Sequence, residues 1–389
     1  MNILHIGKFY PPYHGGMENY LCDLAEAQTA QGHEVTVWVH NHEWQGLTSH
    51  TNASQVGKVK LIRQKSLKPL FFAPVMLGFK QQLKRIITDE KPDLIHLHWP
   101  NPSLFKLLLN KPARKIPWVV SWHSDMVTSH SSFMLKLIYL LVKPLETMLV
   151  KHSDSLLVST QAYADYSKQL CQHVEKTHVI PLGISTKPIE ELKIGADTPV
   201  YKKVVKNWQD KQFKLFHLGR LTFYKNQRFL IKTLAELPET QLLIAGKGQL
   251  HDKLKQQISE LSLISRVKLL GDIDKESVHA LYASCDLFCM ASHDRAESFG
   301  VVLLEAMYHN KIILVPDTAG SGMHWLAENY AKGFVYKSND CDDFVAKVKF
   351  IRQNFKDIMS EPSVFKFEMK HIAESVTHLY KKILTGEKK

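Results

Sequence analysis

Cysteine and long apolar runs are both scarce in this chain of 389 residues. Its five cysteines are too few and too scattered for the disulfide framework of a secreted domain, which favours buried free thiols in a reducing compartment. No apolar run reaches the roughly 18–20 residues that a membrane-spanning helix needs, and the longest candidate, 133–150, is interrupted by lysines, a proline and a glutamate. The first residues also lack the pattern of a signal peptide. We therefore expect a cytoplasmic protein without a transmembrane helix.

The glycine fingerprint G-x-G-x-x-G of dinucleotide-binding domains is also absent. No acidic residue clearly takes the ribose-binding position after the second predicted strand, so a nicotinamide-dependent enzyme is disfavoured. Gly15 and Gly16 instead follow the first predicted strand and open a helix, where bare backbone N–H groups could approach an anion. A plain tight turn would explain this pair equally well.

Positive charge is in excess, with a net charge of +12. The span 58–115 holds thirteen Lys and Arg residues against Asp89, Glu90 and Asp93. No nucleic-acid-binding motif accompanies this charge, so nucleic acid is not an expected partner. The apolar stretch PLFFAPVMLGF (69–79) lies in the same span, and the combination suits an anionic membrane surface. A solvated basic face would explain the charge about as well.

Short apolar runs alternate with helical periodicity along the chain, the pattern of parallel α/β sheets. A polar segment that ends at Gln212 interrupts this alternation, and the alternation restarts at Phe213. We predict an α/β protein with two doubly wound, Rossmann-like domains, over 1–185 and 186–363. A C-terminal helix at about 364–389 is expected to pack back on the first domain. Two such domains should face one another across a cleft, with ligands at the carboxyl ends of the strands.

Two cations follow the first strand of the second predicted domain. Arg220 and Lys225 stand where the next helix begins, which is unfavourable unless an anion lies among them. A diphosphate would fit, because arginine gives bidentate contacts and lysine a point charge. Gly246 ends another strand of this domain. Surface charges without a ligand are the alternative interpretation.

Histidines end strands of the first predicted domain. His96 and His98 share one face of a strand and could chelate a metal, but the sequence places no third ligand near them. Histidines satisfied in the core or at the edge of a cleft are therefore the preferred interpretation. His123 and Asp125 follow the next strand, where His123 could donate to a substrate hydroxyl with its tautomer set by a neighbour.

Glu297 and Glu305 flank an apolar stretch, with seven residues between them. The segment through Ser298 is predicted to be a loop and the following segment a helix, so the Phe299–Val301 amides would point towards a diphosphate. Carboxylates would repel a diphosphate, and we expect them to accept hydrogen bonds from hydroxyl groups instead. A ligand with hydroxyls on both sides of a diphosphate is a nucleotide sugar.

Together these motifs resemble the retaining GT-B glycosyltransferases of glycosyltransferase family 4. The resemblance covers essentially the whole chain: the Gly-Gly pair, HSD at 123–125, R-x4-K, and above all E-x7-E enclosing SFG. The chain departs from the family where LEAMYHNK replaces the usual LEAMACG and TAGSGMHWL replaces a Gly-Gly-rich turn. Since that turn is expected beside the sugar, the identity of the sugar is the least certain part of the resemblance.

By this resemblance, Glu297 would hold hydroxyls of the donor sugar, Glu305 the ribose, and Arg220 and Lys225 the diphosphate, while His123 would contact the transferred sugar. These residues except Glu305 are the expected catalytic group. The implied donor-binding residues are Gly15, Gly16, Arg220, Lys225, Gly246, Gly271, Asp272, Ile273, Glu297, Ser298, Phe299, Gly300, Val301 and Glu305. His98 and Asp125 would lie near the sugar or the acceptor.

The resemblance implies transfer of a hexose or N-acetylhexosamine from a UDP- or GDP-sugar, with retention of configuration, to a surface-polysaccharide or polyprenyl-linked glycan acceptor. The enzyme would be peripheral at the inner face of the cytoplasmic membrane and would need no cofactor, the nucleotide sugar being a co-substrate. Independence of metal is expected because Arg220 and Lys225 can neutralise the leaving group, and on the assumption that no Asp-x-Asp lies at a strand end. A nucleotide-sugar epimerase of the same fold and a non-catalytic nucleotide- or carbohydrate-binding protein are the alternatives.

Overall fold

The computed structural model describes residues 1–13, 15–70, 73–126 and 133–387. The chain forms two compact units, and the first combines Met1–Ile184 with the segment from Phe367 onward. The second unit is continuous, from Ser185 to Lys366. Part of the apolar stretch 69–79, namely Phe71 and Phe72, lies outside the described residues, as do the last two residues of the predicted C-terminal helix.

The first unit contains an eight-stranded sheet and a two-stranded hairpin, counted over the described residues. Its strands are β1 (Asn2–Ile6), β2 (Glu34–His40), β3 (Asn52–Val56), β4 (Val59–Gln64), β5 (Ser66–Leu70), β6 (Ala73–Met76), β7 (Leu94–Trp99), β8 (Trp118–Trp122), β9 (Ser155–Val158) and β10 (Thr177–Val179). The order across the large sheet is β10-β9-β8-β7-β1-β2-β4-β3, and only β3 and β4 pair antiparallel. The order reverses direction between β1 and β7.

Helices cover this sheet, so its central strands are almost wholly buried. Both faces of a parallel sheet are buried, and all six residues of β7 are buried accordingly. The helices of this part of the chain are α1 (Gly16–Ala30), α2 (Phe79–Glu90), α3 (Phe133–His152) and α4 (Gln161–Tyr166). Four buried tryptophans, two of them on β8, fill the core.

The second unit contains a six-stranded parallel sheet. Its strands are β11 (Phe213–Leu218), β12 (Thr240–Ala245), β13 (Val267–Gly271), β14 (Leu287–Cys289), β15 (Ile312–Pro316) and β16 (Gly333–Tyr336). The order β13-β12-β11-β14-β15-β16 is that of a doubly wound nucleotide-binding fold, and it reverses between β11 and β14. Ligands of such folds bind beyond the carboxyl ends of the strands at this reversal.

Nine α-helices belong to the second unit as described. They are α5 (Lys187–Glu190), α6 (Pro199–Val205), α7 (Gln227–Thr233), α8 (His251–Glu260), α9 (Lys275–Ser284), α10 (Val301–Tyr308), α11 (Gly322–Glu328), α12 (Cys341–Gln353) and α13 (Phe355–Ser360). Apolar residues from one face of the strands pack with α7, α8 and α12 into one hydrophobic cluster of this unit. The predicted architecture of two Rossmann-like α/β domains is confirmed, although β3 to β6, β10 and β16 were not predicted from the sequence.

The last helix, α14 (Met369–Thr385), belongs to the first unit. Its apolar side, including Met369, Ile372 and Val376, joins the cluster formed by Leu24 of α1 and Val37 of β2. The hydroxyl of Tyr380 on this helix contacts the His96 ring inside the core. Residues from opposite ends of the sequence therefore complete one hydrophobic core.

Candidate active site

Two loops of the second unit meet at the reversal of strand order. One follows β11 and carries Arg220 and Lys225; the other follows β14 and carries Glu297. The His293 backbone N–H in the second loop donates to the Tyr224 carbonyl in the first, at 3.2 Å. The fold therefore brings together the basic and acidic motifs that are more than seventy residues apart in the sequence.

Lys225 and Glu297 form a direct ion pair between these loops. The pair is shielded from water, since the two side chains are only 8% and 13% exposed. Burial lowers the pKa of Lys225, but the Glu297 carboxylate and Tyr224 together offset this, and the pKa is raised overall. From the sequence, the two residues are expected to bind different parts of a ligand. In the structure the anion beside Lys225 is supplied by the protein itself.

Arg220 is exposed, and its backbone is held from beneath by two buried polar side chains. The Gln227 amide nitrogen donates to the Arg220 carbonyl at 2.9 Å and lies 3.3 Å from Nε2 of His217. Nδ1 of His217 lies 2.9 Å from the Cys289 carbonyl, so Nδ1 carries the proton and Nε2 accepts from Gln227. Burial lowers the pKa of His217 to about 4, which keeps the ring neutral in this role. Neither His217 nor Gln227 was singled out from the sequence.

Gly246 serves backbone packing in the described structure. Its φ is +134°, and a β-carbon there would lie 2.0 Å from the Gly219 carbonyl oxygen. Gly248 has a similar role against Leu221, at 2.3 Å. Because no side chain fits at either position, these glycines let the loop after β12 support the loop that carries Arg220.

The segment after β13 shows that one assumption of the sequence analysis was wrong. Asp272, Ile273 and Asp274 form an Asp-x-Asp directly at a strand end. The Asp274 side chain accepts from the Ser277 amide at 2.7 Å and caps α9, and this hydrogen bond lowers its pKa. Asp272 lies 2.6 Å from the ammonium group of Lys247 in an exposed pair. Both carboxylates thus have structural partners.

The loop that bears Glu297 is fastened to the N-terminus of α11. The Ser321 hydroxyl donates to the Glu297 carbonyl at 2.6 Å, and the Gly322 amide donates to the Ser298 carbonyl at 2.7 Å. The GSG turn expected beside the sugar therefore contacts the Glu297 loop. Gly300, with φ +82°, then starts α10 in a backbone conformation that favours glycine.

The remaining residues of this stretch differ in their surroundings. The Phe299 side chain is buried, so only its backbone and that of Val301 are suited to contact a ligand. Glu305 is half-buried on α10. Burial raises the pKa of the neighbouring Tyr282 hydroxyl, and the Glu305 carboxylate raises it further. Gly271, with φ +69°, accepts from the Gly246 amide at 2.7 Å, which aligns the ends of β12 and β13.

In the first unit, Gly15 and Gly16 lie at the N-terminus of α1 as predicted from the sequence. The Glu18 side chain folds back to this end of the helix. Its carboxylate lies so near that a β-carbon on Gly15 would be 2.3 Å from one of its oxygens. A carboxylate at a helix N-terminus is favourable. The protein thus places its own negative charge beside the amides proposed for an anion, a feature the sequence analysis missed.

A third histidine lies beside His96 and His98, contrary to the sequence analysis. It is His5, the register partner of His96 on β1, and ring nitrogens of the three lie within 4.8 Å of one another. All three side chains are fully buried. Their nitrogens pair with one another or with protein side chains, and His98 Nδ1 lies 3.1 Å from Nε2 of His123. We interpret the group as a hydrogen-bonded cluster.

Asp125 is tied into the first unit by three hydrogen bonds. Its Oδ1 accepts from Trp122 Nε1 at 2.8 Å and from the Ser167 hydroxyl at 2.9 Å. Its backbone amide donates to the Tyr163 hydroxyl at 2.7 Å. These contacts give Asp125 a structural role in the loop after His123.

Comparison with known proteins places this geometry in a family. Residues 14–187 match the model of Glycosyltransferase Family 4, and residues 201–357 match that of Glycosyl transferases group 1. The chain is a GT-B glycosyltransferase of the family 4 type. The resemblance inferred from the motifs is therefore confirmed.

Relatives of this glycosyltransferase extend over its full length. The O-antigen chain mannosyltransferase C of Escherichia coli is 25% identical over 398 aligned residues, covering 100% of both chains. Sucrose-phosphate synthase of Thermosynechococcus elongatus has a similar fold, with a TM-score of 0.74, 17% identity and 99% of each chain covered. HepE of Anabaena, solved with UDP and glucose, has a TM-score of 0.71 and 20% identity, covering 98% of this chain and 99% of HepE.

Proposed function

We propose that this glycosyltransferase transfers a hexosyl or N-acetylhexosaminyl group from a UDP- or GDP-sugar to a surface-polysaccharide or polyprenyl-linked glycan acceptor. The observation that carries the proposal is the shielded Lys225–Glu297 pair, with Arg220 in the same loop, at the reversal of strand order in the second unit. The E. coli relative, named for O-antigen mannosyl transfer, supports a hexose and a polysaccharide acceptor. The HepE complex with UDP and glucose supports a nucleotide-sugar donor.

The proposed chemistry uses fixed charge. Arg220 and Lys225 bind the diphosphate and stabilise the negative charge that it gains when its bond to the anomeric carbon breaks. Amides at the start of α10 add to this stabilisation. Glu297 keeps Lys225 in place through one carboxylate oxygen, and a carboxylate has further acceptor sites for sugar hydroxyls. One buried charge pair thereby positions a cation for the diphosphate and an acceptor for the sugar.

We further propose retention of the anomeric configuration without a metal ion. If the acceptor enters on the side of the diphosphate, its oxygen forms the new bond on the face from which the diphosphate leaves. The departing diphosphate oxygen then takes the proton of the acceptor hydroxyl. Asp272 and Asp274, which would otherwise suggest a metal site, are engaged by Lys247 and by the cap of α9. The positive charge needed at the leaving group comes from Arg220 and Lys225.

The proposed location of the protein is the inner face of the cytoplasmic membrane, where it would bind the anionic lipid surface. No helix in the described residues is long and apolar enough to cross a bilayer. The outer side of α3 nevertheless exposes a row of large apolar residues: Phe133, Met134, Leu137, Leu140, Leu141, Leu145 and Met148. Lys136, Lys143 and Lys151 are exposed on the same helix. An exposed apolar face with lysines fits the interface of a membrane that contains anionic lipids.

The membrane proposal is tested by vesicle sedimentation. Vesicles with anionic lipid should retain the protein and release it as salt is raised, because screening weakens the attraction of the lysines. Leu140→Ser with Leu141→Ser should reduce retention, whereas the same double change at the buried Leu149 and Val150 would test only stability. Equal recovery with neutral and anionic vesicles contradicts the proposal.

The donor is tested by a thermal-shift screen with UDP, GDP, ADP and their sugars. A ligand present at 100 times its Kd should stabilise the folded protein by about 2.7 kcal/mol, which distinguishes the correct base from weak binders. Incubation with the stabilising donor, with and without glycan acceptors, follows. Product formed from donor alone would favour the epimerase, and binding without turnover would favour a non-catalytic protein. The absence of any shift would contradict the proposed donor class.

A further inference from the structure

A chain of hydrogen bonds crosses the interior of the first unit from Gln28 to His123. Gln28 Oε1 lies 2.8 Å from Nε2 of His5, and Nδ1 of His5 lies 3.1 Å from Nε2 of His98. Nδ1 of His98 lies 3.1 Å from Nε2 of His123. Every link uses one nitrogen of each ring, so the three imidazoles form a continuous series from a helix to the end of the sheet.

The rings in this series are neutral, because burial lowers the pKa of His5 and of His123 to about 4 and that of His98 well below its usual range. A neutral imidazole has one N–H and one acceptor nitrogen. The direction of the first hydrogen bond therefore fixes the direction of all the others. Only two arrangements of the protons are possible. One leaves an N–H at Nδ1 of His123, and the other leaves an acceptor nitrogen there.

Gln28 selects one of these arrangements. Its carbonyl oxygen faces His5 and can only accept, so Nε2 of His5 carries the proton and Nδ1 accepts from His98. His98 then donates through Nε2 and accepts through Nδ1, which requires His123 to donate through Nε2. The same logic leaves Nδ1 of His123 without a proton.

The orientation of the Gln28 amide rests on the contact of its oxygen with His5, and the surroundings of Tyr380 agree with it. Burial raises the pKa of the Tyr380 hydroxyl, and Gln28 opposes that rise, as an amide N–H directed at the phenol oxygen does. The nitrogen itself has no hydrogen-bond partner in the described part of the chain, whereas the carbonyl oxygen has a close partner in His5. The Tyr380 hydroxyl in turn contacts Nδ1 of His96. A reversed amide would direct its oxygen at Tyr380 and its N–H at His5.

We propose that Gln28, acting through His5 and His98, fixes His123 as the Nε2–H tautomer, so that His123 offers a hydrogen-bond acceptor to a ligand hydroxyl. Gln28, His5 and His98 are thus positioning residues for His123. His123 is only partly buried, and it lines a small pocket with Tyr20, Ser121 and Ser159 at the ends of β8 and β9. The identification of the hydroxyl as that of a sugar rests on the proposed function, whereas the tautomer does not.

The tautomer is measured directly by long-range ¹H–¹⁵N NMR of the full-length protein labelled with ¹⁵N-histidine, with the His123→Gln spectrum identifying the resonances. The wild-type spectrum should show His123 protonated at Nε2 and unprotonated at Nδ1. Gln28→Met, which removes the acceptor at similar side-chain length, should convert His123 to a mixture of tautomers. Gln31→Met is the matched control, because Gln31 is near the end of the same helix but accepts from Thr377 outside the series.

A wild-type His123 protonated at Nδ1 would overturn the proposal, and this result does not require Gln28→Met to fold. An unchanged tautomer in folded Gln28→Met would also overturn it. So would about one equivalent of tightly bound zinc in the purified protein that is lost in His5→Phe, since a metal ion would break the hydrogen bonds between the rings. The measurement uses no sugar substrate, so failure of the proposed glycosyl transfer would leave its result intact.

Discussion

The two sheets place different chemistry at the points where their strand order reverses. In the first unit, neutral histidines on β1 and β7 are joined by hydrogen bonds in the buried interior. In the second, loops after β11 and β14 meet in a charged pair, Lys225 with Glu297. Hydrogen bonds between neutral rings set which ring nitrogen carries the proton, at little cost in desolvation. A buried ion pair instead holds a charge in place, and loss of one partner destabilises the fold strongly. The same topology thus positions an uncharged group in one unit and a charged group in the other.

Breaking the Lys225–Glu297 pair should have the largest effect. Glu297→Ala or Lys225→Met leaves one shielded charge uncompensated, and each should lower the free energy of unfolding by about 3–5 kcal/mol. The double variant should lose much less than the sum of the two, because no unpaired charge remains. Urea unfolding measures all three. The exposed pair Lys247–Asp272 provides the control, and its single variants should cost no more than about 1 kcal/mol. Additive losses at Lys225 and Glu297 would show that the ion pair does not stabilise the fold.

Substitutions of Glu297 and of Glu305 should change different kinetic constants. Glu297→Gln keeps the shape of the side chain and an oxygen that can still accept from Lys225, so Lys225 stays in place for the diphosphate and free nucleotide should bind nearly as before. The variant should lower kcat about tenfold to a hundredfold, because the lost carboxylate contacts the sugar. Glu305→Ala should instead raise the donor KM and weaken free nucleotide by a similar factor, since a ribose contact is the same in the ground and transition states. Steady-state kinetics gives kcat and the donor KM of each variant, and calorimetry gives the affinity of each for the free nucleotide. Unchanged nucleotide affinity in folded Glu305→Ala would mean that Glu305 does not bind ribose.

Buried neutral histidines should make both units sensitive to acid. Burial lowers the pKa of His40 in the first unit to about 3 and of His217 in the second to about 4. The unfolded chain takes up a proton below its ordinary pKa of about 6.5, so stability falls as the pH drops from there towards the folded-state pKa. Each such histidine should cost about 2 kcal/mol between pH 7 and pH 5.

The change in urea midpoint between these two pH values should therefore be smaller in His40→Gln and in His217→Gln than in the wild type. If only one of the two variants loses acid sensitivity, the burial of histidine is not equivalent in the two units. An increase in acid sensitivity in either variant would contradict the assignment of a neutral buried ring.

Removal of divalent metal should have the smallest effect, namely none. Positive charge at the proposed leaving group comes from Arg220 and Lys225, so transfer should continue at an unchanged rate after EDTA treatment. The assay compares initial rates before and after chelation. Loss of transfer that manganese restores would contradict metal independence and would direct attention to Asp272 and Asp274.

The sequence predicted the alternation of strands and helices because buried parallel strands are almost wholly apolar, and this pattern is local. It also predicted that Arg220, Lys225 and Glu297 belong to a functional region. It did not predict that two of them pair, because the separation of oppositely charged residues in a fold depends on strand order. His5 was missed for the same reason: only the register of β1 against β7 places it beside His96. Gln28 and Gln227 give no pattern at all, since their roles are set by which buried nitrogen or carbonyl each one faces.

The return of α14 to the first unit has a consequence for synthesis on the ribosome. Domains of most proteins fold in the order in which they are translated. Here the second unit is continuous from Ser185 to Lys366, while the core of the first still lacks Met369, Ile372 and Val376 when that segment is finished. The second unit can therefore reach its native state while the core of the first unit still lacks its closing helix. During that interval α14 does not yet cover α1, and Tyr380 does not yet cover the edge of the histidine cluster. A chaperone would act on these two surfaces.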